Sequence, residues 1–128
     1  MQLTLSAGEW KIMTLLWEQS PRTVGELVKA LEAETGWTKA TVFVMLKRLI
    51  AKGAARMDAG GPRQEYYPCI ERRDAASEET DSFLSRVYDG SVSMMISAMA
   101  GRKALTAEEI EALRRIIDEA EKQRRDDT

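Results

Sequence analysis

The sequence predicts a mainly α-helical protein with a small β-hairpin, built as a winged helix-turn-helix followed by a further helical region. Ser/Thr-x-x-Glu signatures, which are typical of helix starts, occur at Ser6, Thr23 and Thr106. Between the second and third signatures, Gly53 follows a long helix-like segment, as a glycine that ends a helix does. A Gly-Gly-Pro turn then separates two short strand-like stretches.

The first two helices are predicted from apolar residues at helical spacing. In the first, the side chains expected to face inward are Trp10, Met13, Leu16 and Trp17, with Ile12 at the edge of that face. Ser20 and Pro21 end this helix, because proline disfavours helical backbone in the residue before it. The second helix is expected over residues 24–34, with Leu27, Val28 and Leu31 inward and a stop at Gly36.

The third helix, expected over residues 39–52 after a cap at Thr38, has two contrasting sides. Its core side is Val42, Leu46 and Leu49, with Met45 alongside. At 100° per residue, the opposite side is Ala40, Val44, Lys47 and Ala51, flanked by Phe43 and Arg48. A merely solvated face is rich in Glu and Lys. This mixture of small, apolar and basic residues instead suits the major groove, where Val or Phe can contact thymine methyl groups.

The hairpin is expected to pair residues 55–57 with residues 65–67 around a turn at residues 58–63, with Pro68 ending the pairing. Tyr66 and Tyr67 point to opposite faces of a strand, so one should lie in the core and the other should be exposed near DNA. Arg63 lies at the tip of this wing. Contact with a phosphate or the minor groove, and simple solvation, are equally compatible with its position.

Charge divides the chain into two parts. Residues 36–64 hold six basic residues and one acid, a local charge of +5 in a chain whose net charge is −2. Residues 1–70 have a net charge of +2 and residues 71–128 a net charge of −4. We therefore expect a DNA-binding domain over 1–70 and a helical dimerisation region over 71–128, with the recognition helix in the major groove and the wing, residues 55–67, on the backbone or minor groove.

The C-terminal part is expected to be helical over residues 75–88, 92–99 and 107–124, with a break at Asp89 and Gly90. Its apolar stripes need a partner surface. Packing within the same chain is one option, but a homodimer is favoured because winged helices that read DNA usually act as symmetric pairs on palindromes. The residues expected at the dimer interface are Leu84, Val87, Met95, Leu113 and Ile117.

Composition argues against several functions. The chain has no histidine and only Cys69, so a Cys/His zinc site, histidine catalysis and an internal disulfide are excluded. Most of its 21 carboxylates are interpreted as lying on solvated helix faces, and no metal site, cofactor or enzymatic activity is expected. No apolar run approaches 18 residues, and the N-terminus lacks the features of a signal peptide. A cytoplasmic protein without direct membrane binding is expected.

These elements resemble the BlaI/MecI/CopY family of penicillinase-type repressors. The resemblance is carried by LTLSAGEWKIMTLLWE, PRTVGELVKAL, GWTKATVFVMLKRLIAKG and the wing ending in EYYP, and later by SFLSRVYDGSVSMMISAMA and LTAEEIEALRRII. It extends from residue 3 to about residue 121. It implies a dimeric transcriptional repressor with an N-terminal winged helix and a C-terminal helical dimerisation region.

The resemblance also implies roles for residues of the recognition helix. Thr38 and Thr41 fall at family positions near phosphates, and Lys47 and Arg48 match the family's basic positions. Phe43 and Val44 stand where family members place polar or basic base-contacting residues, so the operator sequence is expected to differ while the docking mode is kept. The residues expected to bind DNA are Thr38, Lys39, Ala40, Thr41, Phe43, Val44, Lys47, Arg48, Arg56 and Arg63.

Two departures from the family bear on regulation. Copper-responsive members carry a Cys-rich C-terminal motif, which this chain lacks. Antibiotic-responsive members are cut at an Asn-Phe bond by a membrane-anchored sensor peptidase, and the corresponding position here is Ala98-Met99. A sensor peptidase is therefore a candidate partner only with a different specificity. Residues 99–103, which combine a glycine with two basic residues, are expected to form an exposed joint between two helices, with an ordinary connection as the alternative.

Two functions follow from these observations. The favoured one is a homodimeric repressor that binds palindromic operator DNA. The alternative is a winged-helix protein-interaction module without specific DNA binding, supported by exposed Phe43 and Val44. Association that weakens steeply with added salt would indicate DNA binding, whereas salt-insensitive association with a protein would indicate the alternative.

Overall fold

The structure is a computed structural model that describes residues 3–102 and 105–127. Within this part the chain forms six helices and one antiparallel hairpin, in the predicted order. The helices are α1 (Ala7–Glu18), α2 (Val24–Thr35), α3 (Lys39–Ala51), α4 (Arg72–Tyr88), α5 (Val92–Arg102) and α6 (Ala107–Asp126). The strands are β1 (Ala55–Asp58) and β2 (Glu65–Pro68). The predicted fold class, a winged helix followed by helices, is confirmed.

The predicted helix ends are confirmed by their capping bonds. Ser6 and Thr23 form complete capping boxes with the glutamates three residues later. At the start of α6, the hydroxyl of Thr106 accepts a hydrogen bond from the backbone N–H of Glu109. At the other end of a helix, Gly53 adopts a φ of 81°. This left-handed conformation, which favours glycine, turns the chain out of α3 toward β1.

The core of the winged helix lies where α1, α2, α3 and the hairpin meet. The fully buried side chains of α3 are the three predicted ones, Val42, Leu46 and Leu49. In α1 the prediction was partly wrong. Ile12 is at the centre of the core, whereas Trp10 and Trp17 are half-buried and pack edge-to-face at 5.4 Å between ring centroids. The inward face centres on Ile12 and Leu16 because the two bulky indoles cover the margin of the core.

Strand β2 pairs on both of its edges. Its register with β1 places Arg56 opposite Tyr67 and extends to Pro68, so the prediction that Pro68 ends the pairing was wrong. The N–H that proline lacks is supplied by the next residue, since Cys69 N donates to Ala54 O at 2.8 Å. On the other edge, Arg22 exchanges two backbone hydrogen bonds with Tyr66, at 2.9 and 3.2 Å. This central position buries Tyr66, which is 2% exposed, and burial raises the pKa of its hydroxyl.

The start of α1 approaches α3 very closely at Gly8. A Cβ atom at this position would lie 2.9 Å from Met45 Cε and 3.1 Å from Trp37 Cη2. The methionine end is flexible, but the indole ring has little room to move. The absent side chain therefore allows α1 to seat directly against the first half of α3.

One carboxylate, Glu9, is an exception to the expectation that most acids lie on solvated faces. Glu9 is 1% exposed, and its Oε1 accepts from Ser6 N at 2.7 Å and from Lys52 Nζ at 2.6 Å. Lys52 Nζ also donates to Thr4 O at 2.7 Å. Burial by itself raises the pKa of Glu9, but the hydrogen bonds from Lys52 and Ser6 and the charge of Lys52 outweigh it and hold the pKa below its ordinary value. This bridge joins the start of α1 to the end of α3.

The C-terminal helices differ from the prediction mainly in length. Helix α4 begins at Arg72 rather than at residue 75, and α5 continues to Arg102. Residues 99–102, the expected joint, therefore form the last turn of α5, and Lys103 lies outside the described residues. Asp89 and Gly90 both have positive φ, which confirms the predicted break between α4 and α5.

Little of this C-terminal part is buried. Among the described residues after Ile70, Ala75 is the one fully buried side chain. The large apolar side chains left exposed there are Phe83, Val87, Val92, Met94, Met99, Ile110, Ile116 and Ile117. Across the described ranges, no helix is both long enough and apolar enough to span a membrane.

Candidate nucleic-acid interface

The outward face of α3 is open to solvent along its length. Thr38 begins the helix, and its hydroxyl accepts from Thr41 N at 3.3 Å while lying 3.2 Å from the Thr41 hydroxyl. Two hydroxyls thus stand beside the first turn of the helix, where free backbone N–H groups favour an anion. This arrangement suits a DNA phosphate.

Behind this first turn runs an apolar strip. Phe43 is 40% exposed and Val44 is 46% exposed, and the small side chain of Ala40 lies one turn before Val44. A shallow depression of about 320 Å³ opens along the strip, lined by Ala40, Thr41, Val44, Met45 and Arg48. The surface is therefore not a solvated helix face, and its small residues permit close approach of another molecule.

Exposed cations border the strip on the helix and on the wing. They are Lys39, Lys47, Arg48, Arg56 and Arg63. In the part of the chain that the structure describes, none of the five forms an ion pair with a carboxylate. The sixth cation of the basic segment, Lys52, is bound to Glu9 and does not contribute to this surface. The interface thus presents five unneutralised charges.

Two of these cations are held over aromatic rings. Lys47 Nζ lies 5.3 Å from the centroid of the Phe43 ring, one turn away along α3. On the wing, the guanidinium of Arg56 lies 4.1 Å from the centroid of the half-buried Tyr67 ring, its cross-strand neighbour. Such contacts restrain a long side chain without neutralising its charge. Arg56 is thereby presented outward from the wing surface.

The wing tip carries Arg63 in an exposed turn. Asp58, at the end of β1, accepts from Gly60 N at 2.8 Å through its Oδ1, which fixes the start of the turn. The one acidic side chain of the basic segment is therefore engaged in shaping the wing. Arg63 is exposed later in the same turn.

The residues predicted for dimerisation lie apart from this surface, on the C-terminal helices. Leu84 and Met95 are half-buried, and Leu113 of α6 is half-buried as well. Val87 is 50% exposed and Ile117 is 57% exposed. These side chains are apolar and incompletely covered within one chain.

Comparison with known proteins agrees with this geometry. A family model described as penicillinase repressor matches residues 5–119. The chain belongs to the penicillinase repressor family. This is a family of transcriptional repressors, so the protein is a transcriptional regulator and not an enzyme. The resemblance noted in the sequence is thereby confirmed.

Individual relatives match most of the chain. A penicillinase repressor of Bacillus licheniformis is 32% identical over 115 residues, which is 90% of each chain. The methicillin resistance regulatory protein MecI of Mammaliicoccus sciuri is 23% identical over 114 residues, covering 89% of this chain and 93% of its own. The solution structure of monomeric B. licheniformis BlaI with the blaP half-operator is 31% identical, covering 58% of this chain and 90% of that one with a TM-score of 0.50.

Two contacts that shape the interface were not predicted from the sequence. The expected pairing of residues 55–57 with 65–67 places residue 56 opposite residue 66, whereas the actual register is shifted by one and places Arg56 opposite Tyr67, whose ring supports it. Glu9 removes Lys52 from the basic surface. The capping box indicates that Glu9 turns back toward Ser6, but no local pattern indicates a lysine 43 residues away.

Proposed function

We propose that the protein represses transcription by docking α3 in the major groove of operator DNA, with the wing on the backbone or minor groove. The observation that carries this proposal is the outward face of α3, an apolar strip bordered by exposed cations that no carboxylate neutralises within the described residues. The major groove has base edges at its centre and phosphates at its margins, so the apolar strip can face the bases while the cations face the phosphates.

The side chains divide between these two tasks. Ala40, Phe43 and Val44 face the bases, while Thr38, Thr41 and Lys39 hold phosphates at the start of α3. Lys47 and Arg48 flank the strip, and Arg56 and Arg63 bind from the wing. The complex of BlaI with its half-operator, in which BlaI is 31% identical to this chain, supports operator DNA as the partner.

The operator is proposed to be a palindrome bound by a homodimer. The exposed apolar side chains of α4, α5 and α6 support this assembly, because they need a partner surface that one chain does not supply.

The division at residues 70 and 71 is part of the proposal. A fragment ending at Ser77 retains Ile70, whose carbonyl accepts from Trp17 Nε1 at 2.8 Å, and also buried Ala75. It should be a folded monomer in sedimentation with weakened operator binding.

Selection from a random duplex library tests the proposal. The full-length protein should enrich an inverted repeat whose half-sites lie about one helical turn apart, and bound DNA should be protected over both. Affinity should fall linearly on a log–log plot against salt, with a slope of about 0.9 per phosphate contact. Failure to enrich any duplex, or binding indifferent to salt, would refute DNA recognition by this surface.

In a dimer, binding of one half-site places the second DNA-binding domain at high effective concentration near the other half-site. Release from DNA is therefore proposed to occur when the link between the two domains is lost and this gain in affinity disappears. A membrane-anchored sensor peptidase acting in the cytoplasm is the proposed partner, cutting near Ala98 and Met99. Met99 is 55% exposed, but both residues lie inside α5, so this helix must open first. Limited trypsinolysis should cut after Arg102 with operator affinity lost in step. Full affinity after this cut would exclude release by cleavage.

A further inference from the structure

Three exposed side chains on the outward face of α3 cannot hydrogen-bond a base. Ala40, Phe43 and Val44 are exposed there and carry only hydrocarbon. Thr41 and Arg48 line the depression beside them, and Lys47 shares their face with its Nζ 5.3 Å from the centroid of the Phe43 ring. Discrimination by the three hydrocarbon side chains must therefore arise from apolar contact.

The major groove offers one apolar group to such a surface. Adenine, guanine and cytosine display donors and acceptors there, whereas thymine adds a C5-methyl group. Opposite an apolar side chain, a base edge that loses its water without gaining a hydrogen bond is disfavoured. A thymine methyl in the same place is favoured because burying it removes apolar surface from water.

The spacing of the strip sets the length of DNA that it can read. Ala40 and Val44 are four residues apart, which is about 6 Å along a helix rising 1.5 Å per residue. Adjacent bases of one strand are separated by about 3.4 Å along the axis, so this distance covers about two base-pair steps. Phe43 and Val44 are consecutive on α3, so their side chains point about 100° apart and face different positions along a groove.

We propose that Phe43 and Val44 are specificity-determining residues that read thymine C5-methyl groups at two adjacent steps of each half-site. This inference rests on the proposed docking of α3 in the major groove and adds the chemical class of base edge that is recognised. The cations at the border supply affinity for phosphates, whereas the apolar strip supplies the discrimination. The same chemistry extends to 5-methylcytosine, which places a methyl group at the equivalent point of the groove.

The test uses the full-length protein and the duplex enriched from the random library. Thymines of one half-site are replaced one at a time by uracil, which keeps every hydrogen-bonding group and removes only the methyl. At the steps facing the strip, each replacement should weaken binding about fourfold, the effect expected for one buried methyl-sized group. Replacement elsewhere in the half-site should have little effect.

Two further comparisons separate methyl contact from DNA shape. At a sensitive step, a 5-methylcytosine pair should bind more tightly than an unmethylated cytosine pair, although neither is an A·T pair. In Val44→Ala, replacing thymine by uracil at the step facing residue 44 should weaken binding less than it does in the wild type. The matched control is Ile50→Ala near the opposite end of α3, where the side chain is 39% exposed and the uracil effect should be unchanged.

The outcomes distinguish this inference from the proposed function. If no duplex is enriched, DNA recognition itself fails and the inference fails with it. If a duplex is enriched but every uracil substitution is neutral, or if the uracil effect survives undiminished in both Val44→Ala and Phe43→Ala, methyl reading is overturned while the repressor function stands. Uracil sensitivity at adjacent steps that disappears with these side chains confirms it.

Discussion

Val44 illustrates how one exposed apolar residue can matter for binding without contributing to the core. It is 46% exposed, on the side of α3 opposite buried Val42, Leu46 and Leu49. Val44→Asp should therefore leave the thermal unfolding midpoint nearly unchanged. It should weaken binding to the selected operator by roughly a hundredfold or more, because a carboxylate would face the polyanion. Fluorescence anisotropy and circular dichroism measure the two quantities.

A matched substitution guards against a general charge effect in this experiment. Gln123→Asp on α6 changes the net charge by one unit in the same sense, far from α3 in the sequence. It should leave the difference in affinity between operator and random DNA intact. Near-wild-type operator affinity in Val44→Asp would mean that α3 does not dock by this face.

The Glu9–Lys52 bridge predicts a dependence of stability on pH. The pKa of Glu9 is lower in the folded chain than its ordinary value of 4.5. Its contribution to stability is therefore present above that ordinary value and is lost as the pH falls through the lowered value of the folded state. Glu9→Gln should reduce the free energy of unfolding by about 1–3 kcal/mol at pH 7. The difference from wild type should shrink in acid.

Urea unfolding between pH 7 and pH 3 measures this difference directly. Other carboxylates titrate in the same range, so the comparison is between the two proteins at each pH rather than between pH values. A deficit in Glu9→Gln that stays constant down to pH 3 would show that the bridge does not depend on ionised Glu9. Lys52→Met should remove most of the same stability, and the double variant should lose less than the sum of the two.

At the scale of elements, the wing is predicted to hold DNA through an arginine restrained by its neighbour. Arg56→Gln should weaken binding to all duplexes and reduce the salt slope by about one unit. Tyr67→Leu removes the ring beneath Arg56 and should weaken binding by a smaller factor, whereas Tyr67→Phe keeps the ring and should bind like wild type. A Tyr67→Leu variant with unchanged affinity would show that the stacking has no role in binding.

The elements that the sequence predicted best are those whose signals are local. Thr38, Gly53 and the capping boxes at Ser6 and Thr23 each act within four residues of themselves, so their helix ends were predicted correctly. The strand contact between Arg22 and Tyr66 was missed because it joins distant residues and one of its partners is a single residue between two helices. Pairing between residues that are distant in the chain produces no periodic pattern in the sequence, so it cannot be predicted from such a pattern.

The candidate site shows the same contrast. The outward face of α3 follows from a rotation of 100° per residue, and its exposed residues were predicted. Helical period did not distinguish Lys52, which binds Glu9, from Lys47, which remains at the surface. Both are basic residues on the same helix segment. Their different roles depend on how α1 packs, which tertiary structure determines.

For the whole molecule, assembly is predicted to depend on the exposed stripes of the C-terminal helices. Leu113 and Ile117 lie four residues apart on α6, and Ile117 is 57% exposed. Burying each large aliphatic side chain contributes about 1.5–3 kcal/mol. Leu113→Asp or Ile117→Asp should therefore produce monomers at micromolar concentration in analytical ultracentrifugation and weaken binding to the palindrome more than to a single half-site.

The matched control for assembly is Arg115→Asp. This substitution introduces the same carboxylate on the same helix, two residues from Leu113 and thus on the opposite side. It should remain dimeric. A dimer that persists in both Leu113→Asp and Ile117→Asp would move the interface away from α6, and a monomer in all three variants would implicate helix stability instead of contact.

Helix α3 is fastened at its far end by Lys52 and along its inner side by the core, while Phe43 and Val44 of its outer strip are exposed. This separation has an evolutionary consequence. Residues 40, 43 and 44 can be exchanged without repacking Val42 or Leu46, so under the proposed docking a few substitutions would redirect the protein to new DNA. After gene duplication, two copies can acquire distinct target genes while inheriting one scaffold. Such divergence is open to this chain because the residues that hold the helix are different from those that face outward.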